Sequence, residues 1–599
     1  MNQKIKRFDK LQNSLDYIFD WNPQFLREIK GKLKLKKIIA TAAAAVFTQL
    51  FIVISFLGRL PDNDLELVSY NKHSRDCTGA LKEAYSDSYD SALCYQDMHS
   101  HWIINWQLFW FDIFVTLSII GTALLLVLGT FLLVKNIVAE QKKGTLNLVR
   151  ISPQSASNIL LGKILGVPIL LYFFIVLAIP LHTVAALKAG IPLHLYIAFD
   201  LAIIASCGFF YSLGLLLSFV IPKSINAWVC AIAITLFISF SSILNTYRYV
   251  FNTTILDWLF IFNPNNLILY LGKATGIAYH HFNYFNYTDI LSYNPGKSNI
   301  VESIFLSDLL FYGQALWQNI ALGISLVIAN YCLWTYWIWQ GLKRRFYNPE
   351  NTIISKKQSY WITAYFVFIA LGFSLQDKTL NSYESIGLLQ FAIFIFLLCL
   401  TFALTPQRQT LHDWARYRHQ MKKDGNILWR ELILGEKSPS TVAVAINALI
   451  ATLYIAPAYL FFFYEDKAPS CVFSPYESIA VVLGDLIFSM SIIILFSAIA
   501  QLILLCRGKH KVAQALITTI SLSLSLPFFI KITDIFIHDY PVAWLLSSFP
   551  LGTINNITLS TLFMATVGQW IAITLVSLQI TRKLRQAGRS QTYKIVNGK

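Results

Sequence analysis

Few residues in this sequence have the types and spacing that enzyme chemistry requires. His99 and His101, together with His280 and His281, could meet over a metal ion, but no H-E-x-x-H motif or cysteine pair at ligand spacing accompanies them. The G-x-x-x-x-G-K-[ST] pattern that holds nucleotide phosphates does not occur in the sequence either. We therefore expect solvated loop histidines and a chain that is not an enzyme, with no catalytic residue, no metal site and no bound cofactor.

Polar residues within long apolar runs could instead line a transport pathway. Asp485, Gln49 and Gln501 each lie inside such a run. Carboxyl and amide groups at this depth either face a polar pathway or bond to a neighbouring helix, and both interpretations fit all three residues. Proton-coupled carriers usually need chains of buried carboxylates or histidines, so one central aspartate argues against that mechanism.

The most informative stretch is the 135–163 segment, which joins two long apolar runs. Leu146, Val149 and Pro153 can form an apolar stripe on a short helix, beside several basic residues. Ser152-Pro153 ends that helix, because proline restricts the residue before it and suits the first turn of a following helix. The pattern predicts a compact apolar surface that a protein partner could grip.

The composition indicates which elements must position this segment. Of the 599 residues, 56% are apolar and only 13% are charged, against about 25% charged in ordinary soluble domains. The long uncharged runs are each sufficient to cross about 30 Å of hydrocarbon. We predict an all-α polytopic transmembrane bundle of about twelve spans, which begin near Ile38, Ile113, Ile164, Leu201, Ser224, Phe311, Trp361, Ser385, Thr441, Ala480, Val512 and Asn556.

The net charge of +16 is explained by membrane orientation. If the N-terminus is cytoplasmic, 37 of the 48 Lys and Arg residues fall in the tails and connections on that same side. This asymmetry is the positive-inside signature and predicts that both termini are cytoplasmic. A nucleic-acid partner is not expected.

The 135–163 segment resembles the corresponding part of the membrane permeases of type-2 ABC exporters. In that family the second and third spans are joined by an E-x-x-x-G-T-L-[ED]-x-L-x-x-[ST]-P stretch followed by G-K. Asn147 departs from the pattern, because an acidic residue is common there. The matching positions are Glu140, Gly144, Thr145, Leu146, Ser152, Pro153, Gly162 and Lys163.

The resemblance covers roughly residues 20–345 and implies a function. In the family this segment is a coupling helix that docks into a groove on a separate nucleotide-binding ATPase subunit, which holds ATP and Mg²⁺. The resemblance thus implies a multi-pass exporter of the bacterial plasma membrane, in contact with membrane lipid, that moves a lipid, polymer or drug-like substrate outward. The competing interpretations are a membrane-embedded lipid, glycosyl or acyl transferase and an ATP-independent secondary transporter.

The spans divide into two unequal six-span halves. Phe25-Leu26-Arg27-Glu28-Ile29 before the first span is echoed by Leu428-Trp429-Arg430-Glu431-Leu432 before the ninth. This echo favours duplication. Either one chain forms a pseudo-dimer or two permease copies form a homodimer. The predicted parts are a tail with an interfacial amphipathic helix (1–37), a first half (38–345) with outside loops (59–110 and 247–310), a linker (346–360), a second half (361–581) and a basic tail (582–599).

Two further features carry expectations. In the cytoplasmic stretch 406–440, Leu411 and Trp414 share a helical face near Arg416, which fits either a second docking helix or a basic helix lying on the membrane. In the first outside loop, Cys77 and Cys94 could form a disulfide if that side is oxidising, and two free thiols are the alternative.

Overall fold

The computed structural model describes residues 22–60, 73–74, 76–77, 92–93, 102–220, 226–247, 255–275, 306, 309–374, 382–420, 425–465, 475–506, 511–532 and 558–588. These residues form two compact units. The first unit reaches Tyr347 and the second begins at Asn348, with residues 251–258 and 310–314 belonging to the second.

The first unit is built from helices and one very short antiparallel ladder, in which His73 pairs with Leu93. A π-helical turn, Leu124–Leu128, joins α3 to α4. The elements are α1 (Pro23–Lys32), α2 (Leu35–Leu57), β1 (His73–Ser74), β2 (Ala92–Leu93), α3 (Trp106–Ala123), α4 (Gly129–Lys143), α5 (Thr145–Ile151), α6 (Ala156–Gly166), α7 (Ile169–Lys188), α8 (Leu193–Val220), α9 (Ala227–Tyr247), α10 (Leu256–Ile261), α11 (Asn266–Ala274) and α12 (Ile320–Tyr347).

In the described residues of the second unit, the helices are accompanied by short turns, and one isolated bridge pairs Phe311 with Gln314. The predicted linker 346–360 is shorter than expected, because α12 continues to Tyr347 and the next helix begins at Lys356. The helices are α13 (Lys356–Ser374), α14 (Ser382–Leu404), α15 (Arg408–Gln420), α16 (Gly425–Leu434), α17 (Thr441–Glu465), α18 (Pro475–Leu504), α19 (Lys511–Ile532) and α20 (Leu559–Gly588).

The helices agree with the predicted spans in position, although not all are long and apolar enough to count as spans. A helix lies at each of the twelve predicted places. Among the described residues, eight stretches could cross a membrane by length and composition. A ninth would be added if α14 and α15, which meet at a 68° bend, formed one broken span. The chain is therefore an integral multi-pass protein, while the count of twelve and the cytoplasmic termini stay predictions.

Each unit is held together by its own buried side chains. In the first unit α12 packs along α8, where the Trp339 indole donates to Ser212 Oγ at 2.9 Å and Tyr331 is fully buried. In the second unit α13 packs against α17, where Thr363 Oγ1 donates to Asn447 Oδ1 at 2.9 Å. Such interhelical bonds satisfy polar groups that lipid could not.

Candidate functional site

The helix α1 packs on the protein with its polar face. Asn22 caps it, accepting from the Phe25 amide at 3.1 Å while its own amide donates to the Asn158 carbonyl at 2.7 Å. Gln24 and Glu28 are buried, whereas Leu33 is exposed. The amphipathic helix predicted in the 1–37 tail is therefore present, and its buried side is the polar one.

Two glycines of α6 allow this close approach. A Cβ on Gly162 would lie 2.6 Å from Asn22 Oδ1 and 2.8 Å from the Phe25 amide nitrogen. A Cβ on Gly166 would lie 2.7 Å from Glu28 Cβ. No side chain fits at these distances, so the glycine of the predicted Gly162-Lys163 pair is needed for packing.

Lys163 is the centre of a buried set of charges, which we call the charge cluster and define as Glu28, Lys32, Glu140 and Lys163. Its ammonium donates to Glu140 Oε1 at 2.7 Å, to Asn136 Oδ1 at 3.2 Å and to Glu28 Oε1 at 3.3 Å. The Lys163 side chain is 0% exposed. Three helices, α1, α4 and α6, therefore meet at one ammonium group.

The outer members of the charge cluster balance its carboxylates. Lys32 Nζ lies 3.2 Å from Glu28 Oε2 and also donates to the Val167 carbonyl at 3.0 Å. Burial alone would raise the pKa of Glu28, but the charges of Lys163 and Lys32 outweigh it and hold that pKa below its ordinary value. Glu28 is thus a carboxylate at neutral pH, and the cluster is ionic.

The helix α5 begins and ends sharply. Gly144, with φ +74°, adopts the left-handed conformation that ends α4, which glycine reaches without strain. Thr145 Oγ1 donates to the Glu140 carbonyl at 3.4 Å. Ser152 ends α5 by donating to the Val149 carbonyl at 2.7 Å. The predicted Gly-Thr-Leu and Ser-Pro signals therefore define a seven-residue helix between two turns.

The two faces of α5 differ from the prediction. Leu146 is 2% exposed and Val149 is also buried, so this stripe is an anchor and cannot be the surface that a partner contacts. Leu148 and Ile151, at 70% and 80% exposed, form the outward apolar surface instead. The prediction was wrong by half a helical turn, because sequence spacing identifies a face without saying which way it points.

Arg150 and its neighbours fix α5 to the rest of the first unit. The Arg150 guanidinium lies about 6 Å from the ring centroids of Phe219 in α8 and Phe346 in α12. Gln141 Nε2 donates to the Ser218 carbonyl at 3.0 Å. A displacement of α5 would therefore be felt directly at the ends of α8 and α12.

The family model described as ABC-2 family transporter protein matches residues 32–307. The match supports an ABC-2 type permease in this part of the chain. It also supports a role in membrane transport, and permeases of this family are normally non-enzymatic membrane components. No curated protein sequence and no solved structure matches the chain at a significant level.

Five of the eight motif residues fall into two groups by position, while the other three, Thr145, Leu146 and Ser152, are buried or half-buried within α5 and at its end. Glu140, Gly162 and Lys163 face inward, at the junction with α1. Gly144 and Pro153 are exposed at the two ends of α5. Their proposed contact with an ATPase is therefore geometrically open only to the second group and to Leu148 and Ile151.

The second predicted cytoplasmic contact lies outside the ABC-2 match, on α15. Leu411 is buried in a cluster with Leu505 and Ile580, and Trp414 packs against the same cluster. Arg416 is exposed and pairs with Asp413 at 3.4 Å. The apolar face of α15 is thus occupied within its own unit, which contradicts its use as a docking surface.

The predicted pathway residues mostly bond neighbouring helices. Gln49 Nε2 donates to the Leu177 carbonyl of α7 at 3.2 Å. Gln501 is fully buried and its Oε1 accepts from the Thr441 amide at 3.1 Å, at the start of α17. Asp485 belongs to α18, but its side chain is outside the described residues. For both glutamines the contacts favour interhelical bonding over a pathway.

The remaining predictions concern the outside loops. Cys77 is in a disulfide, while Cys94 lies outside the described residues, so their pairing stays a prediction. The four loop histidines also lie outside them. Within the described part of the chain, no group of three or more metal-binding side chains occurs.

The sequence did not reveal the parts played by Glu28, Leu148 and Ile151. In the sequence, Glu28 stands out only as part of the repeated Arg-Glu pattern. A usable signal existed, because Glu140 and Lys163 both flank the membrane in apolar surroundings and buried charges need partners.

Proposed function

We propose that the chain is the transmembrane subunit of an ATP-driven exporter, powered by ATP hydrolysed on a separate nucleotide-binding subunit. The exposed apolar surface of α5 carries this proposal. Leu148 and Ile151 leave water only if another surface covers them, and a helix this short is held rigidly by its buried residues Leu146 and Val149. The family match supports an ABC ATPase as that partner.

The chemistry of the surface favours a groove with an apolar floor and an acidic rim. Lys142 and Lys143, the last two residues of α4, are exposed and precede Leu148 and Ile151 by only a few residues. Asn147, also exposed, adds no charge where relatives often have an acidic residue. We therefore expect the partner to accept two aliphatic side chains and to approach with negative charge.

In the proposed cycle, nucleotide binding draws the ATPase subunits together and displaces α5. Because Arg150 lies over Phe219 and Phe346, the displacement would reach the ends of α8 and α12. The substrate, which is lipid, polymer or drug-like, would then pass outward from the inner leaflet or the cytoplasm. ATP and Mg²⁺ would be held entirely by the partner.

The arrangement of subunits follows from the number of docking surfaces. A machine with two ATPases needs two of them, and among the described residues each chain offers α5, whereas the apolar face of α15 is buried. We therefore favour two copies of this chain over a pseudo-dimer within one chain. An ATPase-to-permease ratio of one in the purified complex supports the homodimer, and a ratio of two supports the pseudo-dimer.

The test is capture of the ATPase from native membranes by the tagged chain in mild detergent. Replacing Leu148 and Ile151 with Asp should abolish recovery of a Walker-motif ATPase and the associated ATP hydrolysis. If Leu148 and Ile151 contact no partner, the same replacement should leave recovery of the ATPase unchanged. The control variant is Ile427→Asp with Trp429→Asp, two exposed apolar residues of α16.

Variants at Leu146 or Thr145 are less useful, because both residues hold α5 in place and their loss would disturb its fold. Membrane insertion and the thermal midpoint of each Asp variant should equal those of the native chain. An ATPase still bound to the Leu148→Asp, Ile151→Asp chain would contradict the proposal.

A further inference from the structure

The charge cluster lies at the base of the loop that carries α5. Glu140 is in the last turn of α4, before the loop, and Lys163 is in α6, after it. Their 2.7 Å contact joins the two ends of this loop. The same ammonium contacts Glu28, which belongs to a helix more than a hundred residues earlier in the chain.

We propose that the charge cluster transmits the displacement of α5 to α1 and from there to the first span, so that Lys163 is a positioning residue for transport. This proposal rests on the function proposed above and adds a route to it. The family match begins at residue 32 and does not include Glu28.

The geometry gives α1 two separate attachments to this loop base. Glu28 binds the Lys163 ammonium, and Lys32 binds the Val167 carbonyl, at the break between α6 and α7. Gly162 and Gly166 allow backbone contact between the two attachments. A helix fixed at these points must follow α6 when α6 tilts.

The first span follows α1 almost directly. Only Leu33 and Lys34 separate α1 from α2, and the Lys34 amide donates to the Lys32 carbonyl at 2.9 Å. A tight turn of this kind transmits rotation with little slack. The route therefore runs from α5 through Glu140, Lys163 and Glu28 to α2, and most of it is not along the chain.

Ionic contacts suit this task because they fix distance and direction. A buried cation between two carboxylates has one favourable geometry, whereas apolar side chains can slide past one another. Stability alone does not require the charges, since replacing a buried ion pair by apolar residues of similar volume is often neutral. This difference separates a transmitting role from a structural one.

The experiment uses the native chain in complex with its captured ATPase and compares it with two variants. One is Lys163→Met, which removes the cation that Glu28 and Glu140 share and leaves them only Lys32 and Arg27 as ionic partners. The other is Glu28→Gln, Glu140→Gln and Lys163→Met together, which removes the three charges that meet at the Lys163 ammonium with little change in volume, while the more exposed Lys32 and Arg27 keep theirs. Hydrogen exchange is measured by mass spectrometry on peptides of α1 and α5, with and without a non-hydrolysable ATP analogue.

In the native complex we expect the analogue to change exchange in both α5 and α1. In the triple variant the thermal midpoint should return toward the native value and the α5 response should remain, while the α1 response is lost. The control Arg416→Gln removes an exposed ion pair in the second unit and should leave both responses intact.

The possible results separate the two proposals. An α1 response that persists in a folded triple variant overturns transmission through the charges and leaves the docking of α5 standing. No response of α5 in the native complex overturns the proposed function, and transmission falls with it. Lys163→Met serves as the reference for misfolding, because it should lower the thermal midpoint where the triple variant does not.

Discussion

The two units of the chain share a sequence pattern but use it differently. In the first unit the Arg-Glu helix α1 turns Glu28 inward to a buried lysine. In the second unit the Arg-Glu helix α16 turns Glu431 to the Trp414 indole at 2.9 Å and to Arg418 at 3.8 Å. The glutamate is kept in both, while its partner changes from a buried ammonium to half-buried groups of α15.

The buried lysines of the two units show the same contrast. Lys163 lies between two carboxylates, whereas Lys356 donates to three neutral oxygens, the carbonyls of Leu432 and Pro439 and the Ser438 hydroxyl, at 2.7 to 2.9 Å. Lys163, in the last turn of α6, holds the Arg-Glu helix α1, and Lys356, at the start of α13, holds the Arg-Glu helix α16. Each unit therefore has a buried lysine that holds an Arg-Glu helix, and only in the first unit are the partners of that lysine carboxylates.

The two short helices predicted to be cytoplasmic, α5 and α15, complete the comparison. In the first unit α5 exposes Leu148 and Ile151, and in the second α15 buries Leu411 and Ala415. The apolar face of α15 is closed to a partner, so α15 is not expected to transmit a displacement in the way proposed for α5. The loss of opposite charges around Lys356 and the burial of α15 are thus consistent with one another.

The largest effect should come from removing the two lysines. Lys163→Met removes the buried cation that Glu28 and Glu140 share and leaves them only the more exposed Lys32 and Arg27, and breaking a buried ion pair typically costs about 3–5 kcal/mol. Lys356→Met leaves three neutral acceptors without a donor, at about 1–3 kcal/mol in total. We expect Lys163→Met to lower the thermal midpoint of the detergent-solubilised chain by clearly more than Lys356→Met does.

A matched control for volume is available at both sites. Lys163→Gln and Lys356→Gln keep a donor but remove the charge, and only the second should recover most of the stability. Equal losses for Lys163→Met and Lys356→Met would mean that the carboxylates contribute nothing beyond ordinary acceptors, and the contrast between the units would fail.

A smaller effect is expected from the glycine that brings α1 to α6. Gly162→Ala would place a methyl group 2.6 Å from Asn22 Oδ1, so α1 must shift at a cost of about 1–3 kcal/mol. The control is Gly208→Ala in α8, where nothing lies within 4 Å of the added carbon and helix propensity favours alanine. Differential scanning fluorimetry should find Gly162→Ala destabilised and Gly208→Ala unchanged or stabilised.

Much of the fold could be predicted because apolar run length carries it directly. A helix lies at each predicted span position, since about twenty uncharged residues leave few alternatives in lipid. The residues at which helices begin and end were harder to predict. The extension of α12 to Tyr347 and the start of α13 at Lys356 shortened the predicted linker, because polar residues at helix ends look like loop.

The sequence predicted where the candidate docking helix α5 lies along the chain, but not which of its faces is exposed. Gly144 and Ser152 identified the turns around α5, because each has a local physical reason. The spacing predicted that Leu146 lies on the exposed face of α5 and that Leu411 could contact a partner, but both side chains are buried. Which face of an amphipathic helix meets protein depends on tertiary packing, and spacing along one chain does not contain it.

The charge cluster shows the same limit for polar residues. The interfacial helix α1 was expected to present its apolar side to lipid, and its polar side proves to be bound to protein through Glu28. Hydrophobic periodicity predicts that α1 has an apolar and a polar face. It does not predict that Lys163, 135 residues away, pairs with Glu28 on the polar face. Long-range pairing of charges therefore needed the structure.

The smallest effect is the pH dependence of the stability that Lys356 contributes. Burial, with no carboxylate in contact through its three hydrogen bonds, lowers the pKa of Lys356 to about 7. Above pH 7 the unfolded chain holds this proton more tightly than the folded chain does, so the stability contributed at this site rises with pH.

Between pH 7 and pH 8 the gain should be about 1 kcal/mol, because one unit of pKa difference corresponds to about 1.4 kcal/mol. The thermal midpoint of the native chain minus that of Lys356→Gln should therefore increase across this interval. A flat difference would show that the Lys356 ammonium stays charged across this interval although only neutral oxygens surround it.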